Sequence, residues 1–284
     1  MDIKFSDILS KLDYFQMHDR YAMTVCPFHD DHSPSMAVFK DGGFQCFACG
    51  ARGGFAKLMK KLDGWTAPTV VEYKGARHRS VLPSDKDQLH AVTLDAHRTL
   101  ISLQDPLANY LKKRGMYGRI VPQRLGYVSG WYTVPIYGER HEFVGAVARS
   151  SPQVQERTGS RYDVPFGQPP LLYVPDWDML RNGSFVAVAF GMFDALSLVE
   201  LGIPACTPTN GQLSIKPQML EDIRKKIIIV PDKGEHEQAL KLERELGWRG
   251  KALILNYPAG LKDPNDLLVN GHGTWLKEQI ELAL

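Results

Sequence analysis

Four side chains in the first fifty residues have the types and spacing of a closed metal site. Cys26 and His29 stand as C-x2-H, and Cys46 and Cys49 follow as C-x2-C after a spacer of sixteen residues. Three thiolates and one imidazole suit Zn2+, and four protein ligands complete its tetrahedron. A closed shell leaves no position for water or substrate, so the expected role is to stabilise a fold. His32 lies three residues beyond His29 and is the other imidazole within reach, but the x2 spacing lets one tight turn present Cys26 and His29 together. Disulfides are the poorer reading: three of the four cysteines fall in this motif, and Cys206, in "GIPACTPT", reads as a buried strand residue.

The elements that must position these ligands are visible around them. The spacer "DDHSPSMAVFKDGGFQ" holds a strand, a D-G-G turn and a second strand, which predicts a small antiparallel zinc ribbon. Residues 1–62 are then a zinc-binding domain. Residues 63–88, "DGWTAPTVVEYKGARHRSVLPSDKDQ", mix Pro, Gly and charge without apolar periodicity and read as a linker. Beyond it, "LHAVTLDAHRTLISL" and "DPLANYLKKRG" carry helical spacing and precede the strand-like runs "YTVPIYG" and "EFVGAVARS". From residue 184 strands and helices alternate: "SFVAVAF", helix "DALSLVELG", "IPACTP", helix "KPQMLEDIRKK", "IIIVPD", helix "EHEQALKLERELG", "KALILNY". That alternation predicts a parallel sheet.

A net charge of +2 over 284 residues is too small to announce a polyanionic partner, but it is unevenly spread. Residues 89–182 carry 11 basic and 8 acidic side chains, and residues 183–284 carry 11 and 13. A polyanion track beside a cation-binding carboxylate cluster produces this asymmetry, as does ordinary variation over a solvated surface. The sequence has no run of eighteen apolar residues and no signal-peptide pattern at its start, so a cytoplasmic protein without a membrane partner is expected.

"CPFHDDHSPSMAVF" followed by "FQCFACGARGGFAKLM" resembles the zinc-binding module of bacterial and phage DNA primases, including Pro27, Phe28, Pro34, Ser35, Phe47, Gly50 and Gly53 around the ligands. In that family the ribbon contacts single-stranded template. Here Phe39, Phe44 and Phe47 with Lys40 and Arg52 offer an aromatic and basic face on which bases could stack, or aromatics that fill the ribbon's small core. The resemblance continues through "YLKKRGM", "RLGYV", "VPIYGERHEFVGAVARS", "SRYDVPFG" and "LLYV", which places Arg114, Arg149 and Arg161 at the family's phosphate-holding positions. A guanidinium's planar donors suit that task. Tyr162 either stacks on a base or packs.

Residues 184–268 resemble a Toprim domain, whose signature is E-G-x-x-D, D-x-D and, in primases, a later K-D-x-x-D. The chain has "AFGMFDALSL", "IIIVPDKGEHEQ" and "LKDPNDLL". The resemblance implies that Asp194, Asp232, Asp263 and Asp266 hold Mg2+ or Mn2+ for nucleotidyl transfer. Two positions depart: Phe190 stands where the family has its glutamate, and Gly234 where it has the second aspartate. Glu235 and Glu237 follow at once, opening a helix. Glu235 is the expected substitute, sharing a cation with Asp232, and Glu237 should point away.

The fold class implied is multi-domain: a zinc ribbon, then an α/β Toprim-containing polymerase domain with a basic subdomain over 89–182 and a Toprim subdomain over 183–284. The activity implied is a DNA-directed primase that joins ribonucleoside triphosphates on single-stranded DNA. The alternative is a catalytically impaired single-strand-binding accessory protein. The sequence has no G-x-x-x-x-G-K-[ST] motif, so a separate helicase is the expected partner.

Overall fold

The computed structural model describes the chain except residues 1–2, 13–14, 18–19, 33, 66–79, 103–107, 166 and 210–214. The chain divides into two compact units, Met1–Ala76 and Arg77–Leu284. Of the segment expected to be a linker, residues 66–79 lie outside the described ones. Its C-terminal end is folded, contrary to the reading: Ser80 Oγ and Val81 N donate to Asp163 Oδ2 at 2.9 and 2.8 Å, Leu82 is buried, and a helix opens at Lys86. A carboxylate some eighty residues away anchors this stretch, which its polar composition does not reveal.

The first unit is α1 (Phe5–Leu9), β1 (Gln16–Met17), β2 (Tyr21–Thr24), β3 (Met36–Phe39), β4 (Gly43–Cys46), β5 (Arg52–Gly54) and α2 (Phe55–Leu62). Its strands form one antiparallel sheet in sequence order. The β3–β4 hairpin is the strand, turn and strand expected of the spacer. Gly42, at φ +115°, supplies the left-handed turn between them. Met36, Val38, Phe44, Leu58 and Leu62 are buried with the cysteines, so the core is made jointly by sheet, helix and metal ligands.

The second unit begins with α3 (Lys86–Ser102) and α4 (Ala108–Lys113), then β6 (Gly126–Val128), β7 (Trp131–Tyr137), β8 (Phe143–Ser150), α5 (Pro152–Thr158) and β9 (Tyr162–Asp163). These four strands form an antiparallel sheet in sequence order. There follow β10 (Leu172–Tyr173), α6 (Trp177–Asn182), β11 (Phe185–Ala189), α7 (Met192–Glu200), β12 (Ala205–Pro208), β13 (Lys226–Val230), α8 (His236–Leu246), β14 (Gly250–Ala252), α9 (Pro264–Val269) and α10 (Gly273–Leu282). The second sheet has the order β10-β12-β11-β13-β14, parallel except for the β10–β12 pair.

Parallel strands covered on both faces read as continuous apolar runs. Val186, Val188, Ile227 and Ile229 pack on one side of this sheet with α8, and Ala187, Ala189, Ile228 and Val230 pack on the other with α7 and α10. A third cluster joins the two sheets: Leu111, Tyr132 and Val134 meet Met192, Phe193 and Leu196 of α7.

Two expected elements are shorter than their sequence pattern. "KPQMLEDIRKK" forms only a 3-10 turn over Pro217–Leu220. The carbonyls of Leu220 and Ile223, which a helix would use internally, instead accept from Arg249 Nη1 at 3.3 and 2.8 Å. The last strand stops at Ala252, with Leu253 N still donating to Ile229 O at 2.8 Å.

Candidate active site and zinc centre

The ligand atoms of Cys26, His29, Cys46 and Cys49 all lie within 4.8 Å of one another. Cys26 Sγ and Cys49 Sγ are 3.8 Å apart. That is about the edge of a tetrahedron with Zn–S bonds of roughly 2.3 Å. His29 turns Nδ1 toward Cys46 Sγ, at 4.0 Å, and Nε2 toward Asp31 Oδ1, at 3.8 Å. Buried Asp31 also accepts from Cys26 N at 2.7 Å and Ser35 Oγ at 2.6 Å. Its carboxylate thus ties the two-residue knuckle to the imidazole, an outer-shell role common at zinc sites. Phe28 N and Cys49 N point at Cys26 Sγ and Cys46 Sγ, at 3.4 and 3.3 Å, which stabilises thiolate character. Without a cation, hydrogen bonds to Cys46 and Cys49, with burial, push the Cys26 thiol far up. The donor set and geometry fit a structural Zn2+. His32 is exposed and lies beside Asp30 at 3.2 Å, outside the group.

The residues proposed for the ribbon's nucleic-acid face divide. Lys40 and Arg52 are exposed and Phe39 and Phe47 half-buried, but Phe44 is buried and stacks on Phe28 at 5.1 Å. Phe44 therefore belongs to the ribbon's core and offers no face to a base.

In the second unit the carboxylates come from the ends of adjacent elements, as a parallel sheet dictates. Asp194 stands in the first turn of α7 after β11, Asp232 follows β13, and Asp263 caps α9 by accepting from Asp266 N at 2.7 Å. Lys233 N donates to Lys262 O at 2.6 Å, which draws the loops bearing Asp232 and Asp263 together. Asp194 is buried and its Oδ1 accepts from Asn265 N at 3.1 Å. A side chain at Gly191 would displace the Asp194 carboxylate from its present position, so glycine there leaves room for that group.

Crowding of like charges in low dielectric should oppose ionisation, and it does. Burial, then Asp232 and Asp263, holds the Asp194 carboxyl well above its ordinary range. Burial, then Glu235 and Asp263, pushes Asp232 up to about 7. Burial raises Asp263 and Glu235 as well. Asp232 Oδ1 and Glu235 Oε2 are buried and make no hydrogen bond. These oxygens and the nearby Asp194 and Asp263 carboxylates are candidate ligands for a hard divalent cation, while among the described residues only the cysteine–histidine group gathers its ligand atoms closely enough to hold an ion without rearrangement. Neighbouring His236 also buries an unpartnered Nε2, a candidate that the motif reading missed. Asp266 is half-buried, with Oδ2 accepting from Lys262 N at 3.3 Å, and Glu237 is exposed.

The departures from the Toprim pattern have structural reasons. Phe190 is buried in the apolar cluster on the α8 side of the sheet, so it serves as wall and core. Gly234 has φ +97°, a left-handed conformation in which an aspartate would be strained. Glu235, next along, stands at the N-cap position of α8 without a side-chain cap, and its backbone N donates to Asp232 O at 3.0 Å.

Arginines close the other side. Arg114 Nη1 donates to Asn265 Oδ1 at 3.0 Å, and its charge counters those of Asp194 and Asp263. Arg149 and Tyr162 are cross-strand partners on β8 and β9, with the guanidinium 4.8 Å over the ring. Tyr162 also feels the charge of Asp194. Arg161 is exposed just before β9. Asn265 was not expected from the sequence. It is buried, its Nδ2 donates to Arg114 O at 2.8 Å and Ser197 Oγ at 2.9 Å, and it locks the arginine to the carboxylate cluster. The one signal that could have found it is its position inside "KDPNDLL".

Residues 2–89 match the family model described as the CHC2 zinc finger. The DNA primase of Clostridium acetobutylicum is 22% identical over 92% of this chain and 54% of its own length. That of Halalkalibacterium halodurans is 28% identical over 43% of this chain and 22% of its own. Among solved structures, the zinc-binding and RNA polymerase domains of Aquifex aeolicus primase superpose with a TM-score of 0.53 at 18% identity, covering 100% of this chain and 84% of that one. The RNA polymerase domain of Mycobacterium tuberculosis primase DnaG, solved with double-stranded DNA, gives 0.55 at 18%, covering 68% and 78%. The fold is thus a CHC2-type zinc ribbon followed by an α/β unit similar in fold to primase RNA polymerase domains. The chain is similar to bacterial DNA primases, and it spans about half, or less, of the length of the curated relatives it matches. Among the described residues no helix is long and apolar enough to cross a membrane.

Proposed function

We propose that this chain is a DNA-directed primase acting in the cytoplasm, where its four free cysteines would persist. The carrying observation is the convergence of Asp194, Asp232, Glu235 and Asp263 with Arg114 and Arg149 at one edge of the second unit. Its substrates are single-stranded DNA and ribonucleoside triphosphates. Asp194, Asp232, Glu235 and Asp263 would hold Mg2+ or Mn2+. When bound, such a cation supplies charge neutralisation for the triphosphate and acidifies the attacking hydroxyl.

The chain's own groups do the rest. Arg114, fixed by Asn265, presents a guanidinium beside the carboxylates, where it can hold a phosphate and orient it. Arg149, with its buried Nε unpartnered and Tyr162 beneath it, offers a second phosphate contact. Arg161 and Tyr162 extend the basic and aromatic surface outward, and on the ribbon Lys40 and Arg52 remain free for template. Unwinding is left to a separate helicase.

The test is incubation of the full chain with single-stranded DNA, Mn2+ and labelled ribonucleotides. Oligoribonucleotide product is expected from the parent and none from Asp232→Ala or Glu235→Ala, both of which should still bind DNA. A Glu235→Ala protein that primes like the parent while Asp232→Ala is dead would remove Glu235 from the site. A parent that binds DNA and never joins nucleotides would overturn the enzyme reading.

A further inference from the structure

Beside the catalytic edge the second unit holds a cavity of about 530 Å3. It lies between α4, the β6–β7 hairpin and the start of α5, and none of its lining belongs to the carboxylate cluster. Three tyrosines make one wall. Tyr132 is buried, Tyr110 stacks on it at 4.9 Å, and Tyr127, its cross-strand neighbour, meets it edge-on at 5.2 Å. Tyr110 and Tyr127 are only half-buried. Lys113 and Arg157, both exposed, stand on the rim.

The cavity is built and not incidental. The β6–β7 turn has Ser129 at φ +49° and Gly130 at φ +91°, a two-residue hairpin geometry that favours glycine. Gly130 is needed twice, because a Cβ there would run into Val154 of α5. The hairpin is thereby pressed against α5, which fixes the tyrosine wall relative to Arg157. The cavity is also next to the chemistry: the Arg114 guanidinium carbon lies 5.9 Å from the Tyr110 ring centroid, and Tyr110 is close enough to Arg149 to help hold its guanidinium charged.

We propose that this cavity receives an unpaired nucleobase on Tyr110 and Tyr127 while Lys113 and Arg157 hold the flanking phosphates. Its size falls in the ordinary range for small-ligand sites. Tyrosine faces with cations at the rim are the usual means of holding a single strand without reading its sequence. The base comes from the template strand, since the two rim cations suit phosphates on either side of one nucleotide. The proposal rests on the primer-synthesis reading.

The experiment uses the full chain and an oligodeoxythymidine carrying one 2-aminopurine, with 2-aminopurine riboside triphosphate as the second arm. Binding of the oligonucleotide should quench the fluorophore, and the free nucleotide should stay bright. Tyr127→Ala should weaken the oligonucleotide by about 5- to 150-fold, the equivalent of roughly 1–3 kcal/mol for one stacked base, and abolish quenching. Tyr127→Phe should restore both. Lys113→Ala with Arg157→Ala should lower the log-log salt slope by about 1.4, or roughly 0.7 per phosphate. An oligonucleotide that binds the parent unquenched, or equally well to Tyr127→Ala, overturns the proposal, and quenching of the free nucleotide alone overturns the template assignment. A parent that primes with a bright 2-aminopurine loses this cavity and keeps the enzyme reading. A parent that quenches without priming does the reverse.

Discussion

Replacing Asp232 with asparagine should stabilise the metal-free protein at alkaline pH while removing its response to divalent cations. Burial, Glu235 and Asp263 together carry the Asp232 carboxyl from 3.8 to about 7. At 1.36 kcal/mol per pH unit, ionising it in the fold costs roughly 4 kcal/mol more than in the unfolded chain. The folded pKa is the higher one, so the group favours the fold fully below about pH 4, and that contribution is lost as pH rises through 7. A carboxamide in its place cannot ionise. With the cost shared among coupled carboxylates and eased by partial solvation, about 2 kcal/mol of it should return at pH 8. For a unit of this size that is a rise of about 4–8 °C in melting temperature. Near pH 4 the two proteins should melt together. Millimolar Mn2+ at pH 8 should raise the parent's melting temperature and leave Asp232→Asn nearly unmoved, because ligation stabilises only the state that binds. Differential scanning calorimetry at pH 4 and pH 8, with and without Mn2+, reads all four values. A variant that melts below the parent at pH 8 without metal, or that keeps the parent's Mn2+ response, would refute the crowded-carboxylate account.

Cys46→Ala should drop zinc from one equivalent per chain to near zero by metal analysis and unfold the first unit, since the site's metal is part of its core. Full zinc content in that variant would sink the ligand assignment. Asn265→Ala removes three side-chain hydrogen bonds, two of them to Arg114 and one to Ser197 Oγ. At roughly 1 kcal/mol each, urea unfolding should show a loss of about 3 kcal/mol, and a change below about 0.5 kcal/mol would deny the lock on Arg114. Changing Arg114, Arg149 and Arg161 together to Ala should weaken single-stranded DNA binding and flatten its salt dependence by about 0.7 per lost phosphate contact. An unaltered slope would return all three to ordinary surface.

Sequence alone determined what is local in this protein. The four zinc ligands lie within one hairpin and its flanks, so their spacing specifies the ribbon directly, and the apolar runs "SFVAVAF" and "IIIVPD" specify buried parallel strands whose ends must carry Asp194 and Asp232. The polymerase reading came from motif order and not from any single residue, since each arginine alone is an ordinary surface cation. Only the tertiary structure decided the rest. It buried Phe190 and Phe44, set Gly234 in a left-handed turn, and cut the expected helix near residue 217 to one turn because Arg249 takes its carbonyls. It paired Arg149 with Tyr162, anchored Ser80 on Asp163, and tied Arg114 to Asn265 across 151 positions of sequence. Periodicity and spacing report the backbone's local state and which face is apolar. A hydrogen bond between distant segments depends on how whole elements pack, and it leaves no periodic trace in either segment.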